Sequence, residues 1–384
     1  MHRDRFTLLA YGLLSVFAYF LYGFGPVVPL LLREQHTSRG VAGLHGTALA
    51  VGGVCTGLLA HRAVRWFGRQ ATVWAAIATM AAAMLGFTVA HALWATLALT
   101  ALAAAGGTLS VTVTMAALSD HHGPVAGPAA LSEGNALAAG VGLLAPLAVG
   151  GTVALGWGWR PGLAVLVPLA ALVFLLRVPV PAARPVPHTT AAGRLPRTYW
   201  LAWSCLLCTA SVEVCLNLWV ADVMRAHSHA SEAAATAALS AIVGGMCLGR
   251  LVGSRLLLRW AAPRVLLGAV AVSAAGFALF WLAPVPWLAV VGLVVLGLGD
   301  SVHFPLGIAL VVAHSDGQPD LAVSRSSYAA SLAFGVSPFA LGALADGVGP
   351  HTAFLLVPLF LAGAGVLAWR LGRVAVAPLV TSAG

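Results

Sequence analysis

Twelve long apolar runs constrain this chain more than any other feature of its sequence. A helix needs about 20 predominantly apolar residues to cross a bilayer, and each run is near or above that length. Charged residues make up only 8% of the chain, against roughly 25% in soluble domains, so most of its surface cannot face water. We predict an all-α polytopic membrane protein whose twelve transmembrane helices, numbered in chain order, lie near 6–32, 41–60, 71–90, 93–117, 129–154, 159–177, 198–223, 233–258, 264–283, 286–312, 322–345 and 352–371.

The sequence repeats at an offset of 192 residues, half of its length. The stretch GGVCTG at 52–57 returns as GGMCLG at 244–249, and Pro146 and Gly150 correspond to Pro338 and Gly342. A Pro-rich segment, 178–197, separates the two copies and reads as an extended linker. We predict an N-terminal six-helix bundle at 1–177, a cytoplasmic linker at 178–197 and a C-terminal six-helix bundle at 198–384, related as parallel repeats.

The distribution of arginines predicts how the chain is oriented in the membrane. With a cytoplasmic N-terminus, fifteen arginines lie on the inside and four, Arg33, Arg39, Arg160 and Arg225, on the outside. The positive-inside rule then places both termini in the cytoplasm. We expect a multi-pass protein of a bacterial cytoplasmic (inner) membrane. The arginines fall at the ends of apolar runs, so we expect no nucleic-acid partner.

The CxxC pair of Cys205 and Cys208 lies within an apolar run, which predicts buried thiols and no metal site.

The segment after helix 2 carries a family motif. It reads GLLAHRAVRWFGRQ, and it resembles the G-x-x-x-D-R-x-G-R-K loop of the major facilitator superfamily, although His61 replaces the usual acid. The second half offers GRLVGSRLLLRWAAPR at the matching place, and GLLAPLAVGG in helix 5 resembles a signature of drug–proton antiporters. The resemblance implies a transporter of two six-helix bundles, which we expect to be a monomer. It also implies gating or topology roles for the arginines of the two loops, Arg62, Arg69, Arg255 and Arg259.

The resemblance further implies that helices 3, 6, 9 and 12 face lipid while the others line a central cavity. The interiors 71–90, 161–176, 265–283 and 353–369 indeed contain no Asp, Glu, Arg or His. A charge at the bilayer centre costs at least ~2.5–3.5 kcal/mol on insertion scales, so deep ionisable residues are functional candidates. They are Glu133, Glu213, Arg250, Asp300 and His303.

Glu213 is the sharpest candidate. Thr209, Glu213 and Asn217 are spaced at i, i+4 and i+8, so they share one helix face, which predicts a polar wall of a water-filled cavity. We predict that Glu213 carries a proton or acts as counter-ion for a cationic substrate, and that Asn217 contacts substrate. The alternative is a protonated Glu213 that only bonds a neighbouring helix.

The other deep residues leave alternatives open. Asp300 and His303, at i and i+3, either relay protons and hold substrate or stabilise a helix broken near Pro305. Arg250 either attracts an anionic substrate or snorkels toward the loop.

Further residues complete the set of candidates. Tyr22, Tyr328 and Asn135 are candidate substrate contacts, and Glu133 is a candidate for a gating salt bridge with an inner-loop arginine. We expect His121 and His122 to form an exposed pair without a partner, and Asp222 to lie at a solvated helix end.

These features predict a secondary active transporter that works by alternating access. The chain has no phosphate-binding loop of the G-x-x-x-x-G-K-[ST] type, so we expect that ATP is not the direct energy source. For a transporter of this kind we also expect no enzyme activity and no cofactor. We predict proton-coupled export of an amphipathic or cationic compound, because the deep acids outnumber the bases. The alternative is proton-coupled uptake of a sugar-like or anionic metabolite anchored by Arg250. A channel would need a continuous polar lining and a receptor a sizeable soluble domain, so we favour neither.

Overall fold

The computed structural model of the chain describes residues 3–181, 194–257 and 259–373, apart from the side chains of residues 124, 125, 128, 251–255, 257, 319 and 320. All regular secondary structure in these ranges is helical, and the predicted twelve transmembrane helices are confirmed. Helix 1 spans Arg5–Glu34, helices 2 and 3 form one segment Arg39–Val89, helix 4 is Leu93–Gly123, helix 5 Ala129–Ala154 and helix 6 Arg160–Leu175. Helix 7 is Arg197–Ala226, helix 8 Glu232–Ala237 with Leu239–Leu257, helix 9 Ala262–Leu282, helix 10 Pro286–Ala313, helix 11 Pro319–Val348 and helix 12 Pro350–Gly372.

Glycines end helices where the chain turns back at the membrane surface. Gly68 separates helix 2 from helix 3 with φ 75°, and Gly123 separates helix 4 from helix 5 with φ 72°. Only glycine adopts this left-handed conformation at little cost. A Cβ atom at either position would meet nothing within 4 Å, so the backbone angle, not crowding, requires the glycine.

An even number of helices places Arg3 and Arg373 on the same side of the membrane, which we call the terminal side; the opposite side is the distal side. The halves touch through the residues of the second sequence repeat. A Cβ atom on Gly150 of helix 5 would lie 2.8 Å from the carbonyl oxygen of Ala233 in helix 8. One on Gly342 of helix 11 would meet the backbone of Arg39 in helix 2. The two repeat-related glycines thus make equivalent contacts between the halves.

The GG-x-C-x-G copies hold helices together within each half. Gly52 brings helix 2 against the backbone of Ala101 in helix 4, and Gly245 brings helix 8 against Val294 in helix 10. Gly244, by contrast, meets only a side-chain carbon of Leu143, 3.4 Å from the position of a Cβ atom. Helix 8 therefore packs tightly on helix 10 at Gly245, whereas Gly244 has room for a small side chain beside Leu143.

The predicted linker lies largely outside the described residues, since 182–193 are not described. Its first residues have no regular structure and lie against the N-terminal half, where the backbone N–H of Val180 donates to Oε1 of Gln70 at 2.6 Å. The boundaries of the two bundles stay predictions.

Candidate functional site

A central cavity of about 150 Å³ lies between the two halves. It brings together three predicted substrate contacts, Tyr22 from helix 1, Asn135 from helix 5 and Arg250 from helix 8. The rest of its lining is apolar and comes from helices 1, 4 and 5: Leu14, Phe17, Ala18, Leu21, Val111, Ala138 and Ala139. A mixed lining of this kind suits a molecule with both an apolar and a polar part.

Glu213 on helix 7 lies within electrostatic range of two residues that line this cavity, Tyr22 and Arg250, and is not itself among the lining residues. Its side chain is half-buried, and among the described residues it forms no hydrogen bond or ion pair. Asp300 and Arg250 lie within electrostatic range of its carboxylate, and Tyr22 lies within range of all three. A half-buried carboxylate without a direct partner is available to a proton or to a ligand.

The predicted polar stripe on helix 7 differs from expectation at both ends. Thr209 and Asn217 are buried, and the Thr209 hydroxyl donates to the carbonyl of Leu206. Nδ2 of Asn217 lies 3.5 Å from the carbonyl of Leu21, so this side chain contacts the other half instead of lining the cavity. A Cβ atom on Gly25 would collide with Asn217. Asn217 therefore forms a contact between helices 1 and 7, Thr209 bonds within its own helix, and Glu213 is the accessible member of the stripe.

Asp300 and His303 form a fully buried pair at the break of helix 10. Oδ1 of Asp300 lies 2.9 Å from Nδ1 of His303, and the side chains are 0% and 1% exposed. The distance is that of an ion pair, yet the geometry does not meet hydrogen-bond angles, and both Asp300 oxygens lack a hydrogen-bond partner among the described residues. Nε2 of His303 lies 3.4 Å from the hydroxyl of Ser273 in helix 9. A single uncompensated charge is costly in such surroundings, so the loss of either partner would destabilise the other.

A group of charged residues that sequence analysis missed joins the halves on the distal side. Nε of Arg39 in helix 2 donates to Oδ2 of Asp222 in helix 7 at 2.8 Å. The carboxylate of Asp346 in helix 11 accepts hydrogen bonds from the backbone N–H groups of Arg39 and Gly40, each at 2.8 Å. It therefore caps the start of helix 2 from the other half. We call Arg39, Asp222 and Asp346 the distal latch.

Asp222 corrects an expectation. We predicted a solvated helix end, but the residue is 4% exposed and also accepts from Arg225 at 3.2 Å. The sequence places as many acids as arginines near the distal ends of the helices, which indicates pairing there but not which residues pair. Each of these arginines pairs with an acid: Arg33 and Arg225 with Glu232, Arg39 and Arg225 with Asp222, and Arg160 with Glu34.

Several hydrogen bonds and ion pairs join the halves at mid-membrane or on the distal side. Besides the distal latch they include Thr47 with the carbonyl of Gly335 at 2.6 Å and Ser240 with the carbonyl of Leu143 at 2.9 Å. The halves are thus joined by polar contacts on the distal side of the membrane.

The whole chain matches one family. Residues 8–221 and 202–383 match the Major Facilitator Superfamily. The chain belongs to the major facilitator superfamily. Superfamily proteins are transporters, and the solved structures similar to this chain agree with that fold. No curated protein sequence matches the chain.

Three solved superfamily structures illustrate the likeness in fold. A bacterial homolog of the human lysosomal transporter Spinster, in an inward-facing and unoccupied conformation, has a TM-score of 0.76 at 14% identity, covering 97% of this chain and 98% of its own. The nucleoside transporter NupG has a TM-score of 0.73 at 15% identity, with 96% and 98% covered. A D-xylose–proton symporter has a TM-score of 0.77 at 13% identity, with 97% and 98% covered.

The superfamily loop arginines and their neighbours lie on the terminal side. Nη2 of Arg69 lies 2.6 Å from Oδ2 of Asp120, and Nε of Arg3 lies 2.7 Å from Oε1 of Glu133. Both bonds stay within the N-terminal half, so in this conformation Glu133 joins the start of helix 1 to helix 5 instead of joining the halves. Arg62 and Arg259 are exposed, and the side chain of Arg255 lies outside the described part of the structure.

The predictions for the histidine pair and for Tyr328 can also be compared with the structure. His121 and His122 do have partners: Nε2 of His121 lies 2.7 Å from Oδ2 of Asp4, and Nε2 of His122 lies 2.8 Å from the hydroxyl of Thr7. The expectation failed because Asp4 and Thr7 are distant in sequence. Tyr328 on helix 11 is 62% exposed and does not line the central cavity, so its predicted substrate contact stays a prediction.

Proposed function

We propose that the chain is a proton-coupled secondary transporter that exports a small amphipathic or cationic compound by alternating access. The proposal rests on one observation: the carboxylate of Glu213 is half-buried near the cavity between the halves and has no direct partner among the described residues. The apolar lining of the cavity favours an amphipathic member of this class.

Glu213 offers a physical reason why protons and a cationic substrate would be exchanged across the membrane. An ionised carboxylate cannot be removed from water without a counter-charge or donor. Either a proton or a positively charged group of the substrate removes this obstacle when the halves close around the site. Each loaded form can therefore change conformation, whereas the empty ionised form cannot. Transport of substrate in one direction and of protons in the other follows.

The distal latch supplies the second requirement of the proposal. Alternating access demands that one side be closed while the other is open. The structure has the distal contacts formed, so the opposite state requires that Arg39 separate from Asp222 and Asp346. With both termini in the cytoplasm, as we propose, the observed conformation would be closed toward the outside.

A second candidate function is proton-coupled uptake of a sugar-like or anionic metabolite. Arg250 favours it, since its side chain lines the cavity and lies within electrostatic range of Glu213. A proton on Glu213 would leave the guanidinium uncompensated and would promote binding of an anion. The two candidates differ in one measurable respect: proton and substrate compete in the first and bind together in the second.

The test uses the purified protein in sealed vesicles with an imposed proton gradient and a panel of amphipathic cations, sugars and organic anions. We expect gradient-driven movement of an amphipathic cation, with weaker substrate binding at lower pH. Glu213→Gln should abolish the coupling while Glu34→Gln, whose carboxylate pairs with Arg160 within the N-terminal half, should retain it. Full coupling in Glu213→Gln would refute the proposed role of this residue. Stronger anion binding at lower pH would select the second candidate.

A further inference from the structure

Arg225, near the distal end of helix 7, is a buried arginine with unused hydrogen-bond donors. Its side chain is only 6% exposed, and Nη2 donates to Oδ1 of Asp222 at 3.2 Å. Nε and Nη1 are also buried, and neither has a hydrogen-bond partner among the described residues. A guanidinium offers donors and no acceptor, and buried donors of a charged group that stay unsatisfied cost free energy. Arg225 therefore lacks an acceptor on the side of Nη1.

Glu232, at the start of helix 8, supplies this acceptor only in part. Its Oε1 lies 3.6 Å from Nη1 of Arg225 and 3.6 Å from Nη1 of Arg33, which ends helix 1. Both distances exceed the roughly 2.7–3.2 Å of an N–H···O hydrogen bond. The side chains of Arg33 and Glu232 are 54% and 46% exposed. The point where the two guanidinium groups approach each other is therefore reached from solution on the distal side.

The ion pairs around Arg225 leave an excess of positive charge. Three arginines, Arg33, Arg39 and Arg225, share two carboxylates, those of Asp222 and Glu232. One guanidinium in this group thus has no carboxylate of its own. Arg33 also lies within electrostatic range of Arg225, and two like charges held together in a partly buried place repel each other.

Asp346 is the remaining acid of the distal latch, and its oxygens are already engaged. Each accepts a hydrogen bond from a backbone N–H group, one from Arg39 and one from Gly40. Water would satisfy the open donors of Arg225 but would not offset the repulsion between the two guanidinium groups. A monovalent anion does both, whereas a divalent anion would leave the group with an excess of negative charge. The low exposure of Arg225 favours a small anion.

We propose that the distal side binds one small monovalent anion, of the size of a halide ion, between Nη1 of Arg225 and Nη1 of Arg33. Glu232, which no hydrogen bond holds to either arginine, gives way to it. Arg33 belongs to the N-terminal half and Arg225 to the C-terminal half, so the anion bridges the halves only while they are closed distally. A ligand that binds one state alone stabilises that state. Neither Glu213 nor the substrate takes part, so failure of this proposal would leave the proposed function untouched.

Chloride is the probe, and its binding to the whole protein in nanodiscs of zwitterionic lipid is followed by broadening of the chloride NMR signal. Gluconate replaces chloride at constant ionic strength. We expect saturable binding that Arg33→Gln and Arg225→Gln each weaken roughly tenfold or more, because each removes a hydrogen bond from a charged donor. Arg5→Gln, the same change at an exposed arginine of the terminal side, should leave binding unchanged. If Arg225→Gln fails to fold, the half-exposed Arg33 carries the test.

Glu232→Gln changes the charge of the site without removing an arginine. The variant loses the carboxylate that competes with the anion, so chloride should bind roughly tenfold more tightly. Sulfate, which we expect to bind the unmodified protein more weakly than chloride, should become the better ligand, because two negative charges then balance the three arginines and Asp222. An unchanged order of chloride and sulfate in Glu232→Gln would contradict the charge argument and overturn the proposed site.

The effect on access is measured with spin labels at His36 and Val348, both exposed on the distal side. Replacing gluconate by chloride should raise the distally closed population of the unmodified protein and leave that of Arg33→Gln unchanged. Without chloride the two proteins should agree, because an ion pair of two half-exposed side chains contributes little. Absence of saturable chloride binding, or equal binding in the unmodified protein and in Arg33→Gln, would overturn the proposal and leave water as the acceptor for Arg225.

Discussion

At the scale of single residues, variants of Asp300 and His303 can distinguish a structural role of this buried pair from a role in proton coupling. Removing one partner of a buried pair leaves the other uncompensated and costs about 3–5 kcal/mol. We expect His303→Leu to lower the unfolding temperature strongly, whereas the double variant Asp300→Leu, His303→Leu regains most of that loss. If the pair carries protons, the double variant folds but loses proton-driven transport. Full coupling in the double variant would assign the pair to stability only.

Asp4 provides a pH-dependent contact outside the membrane. Burial raises its pKa, but hydrogen bonds from Thr7 and His121 outweigh burial, and the pKa falls to about 2. A depressed pKa means that the contribution to stability is present above the ordinary pKa of an aspartate and is lost as the pH falls toward 2. Asp4 also caps helix 1, so Asp4→Ala should cost about 1 kcal/mol at neutral pH. Thermal unfolding from pH 6 to 3 should show this difference shrinking, and a difference that stays constant would contradict the expectation.

At the scale of helices, the repeat-related glycines decide how closely the halves approach. Gly150→Leu places a side chain where Ala233 and Ala237 of helix 8 already lie, whereas a Cβ atom on the adjacent Gly151 would meet nothing within 4 Å. We expect Gly150→Leu to prevent distal closure and Gly151→Leu to permit it. Spin labels at His36 and Val348, both exposed on the distal side, should report a longer distance only in the first variant. Equal distances in both variants would show that helix 5 does not control closure.

At the scale of the whole molecule, the distal latch sets the balance between the two access states. Asp222 is buried at the junction, and Arg39 contributes the ion pair from the other half. Losing a partly buried pair of this kind costs about 1–3 kcal/mol, which shifts a two-state equilibrium roughly 5- to 150-fold. We expect Arg39→Ala to populate the distally open state. The same spin-label pair measures it, with Arg33→Ala as control because Arg33 and Glu232 are about half exposed. An unchanged distance distribution would exclude the latch as a determinant.

The sequence by itself determined the architecture of this protein. Twelve apolar runs can satisfy their backbone hydrogen bonds in a bilayer only as helices, and the structure confirms them. The repeat also marked Gly150 and Gly342 as equivalent positions, and the structure shows equivalent contacts at both. Periodicity and bilayer length are local properties, so they can be read without knowing which helices are neighbours.

Only the tertiary structure decided which charges meet. The distal latch joins Arg39 to Asp222 and Asp346, residues 183 and 307 positions away along the chain. Likewise Asn217 lies on the predicted face of helix 7 but contacts helix 1, while Glu213, one turn away, is left half-buried without a direct partner. Spacing along a helix fixes the face of a side chain, whereas its partner depends on how the two halves pack in one particular access state. Charge pairing across the halves is therefore a property of the packed molecule, and single-sequence patterns do not contain it.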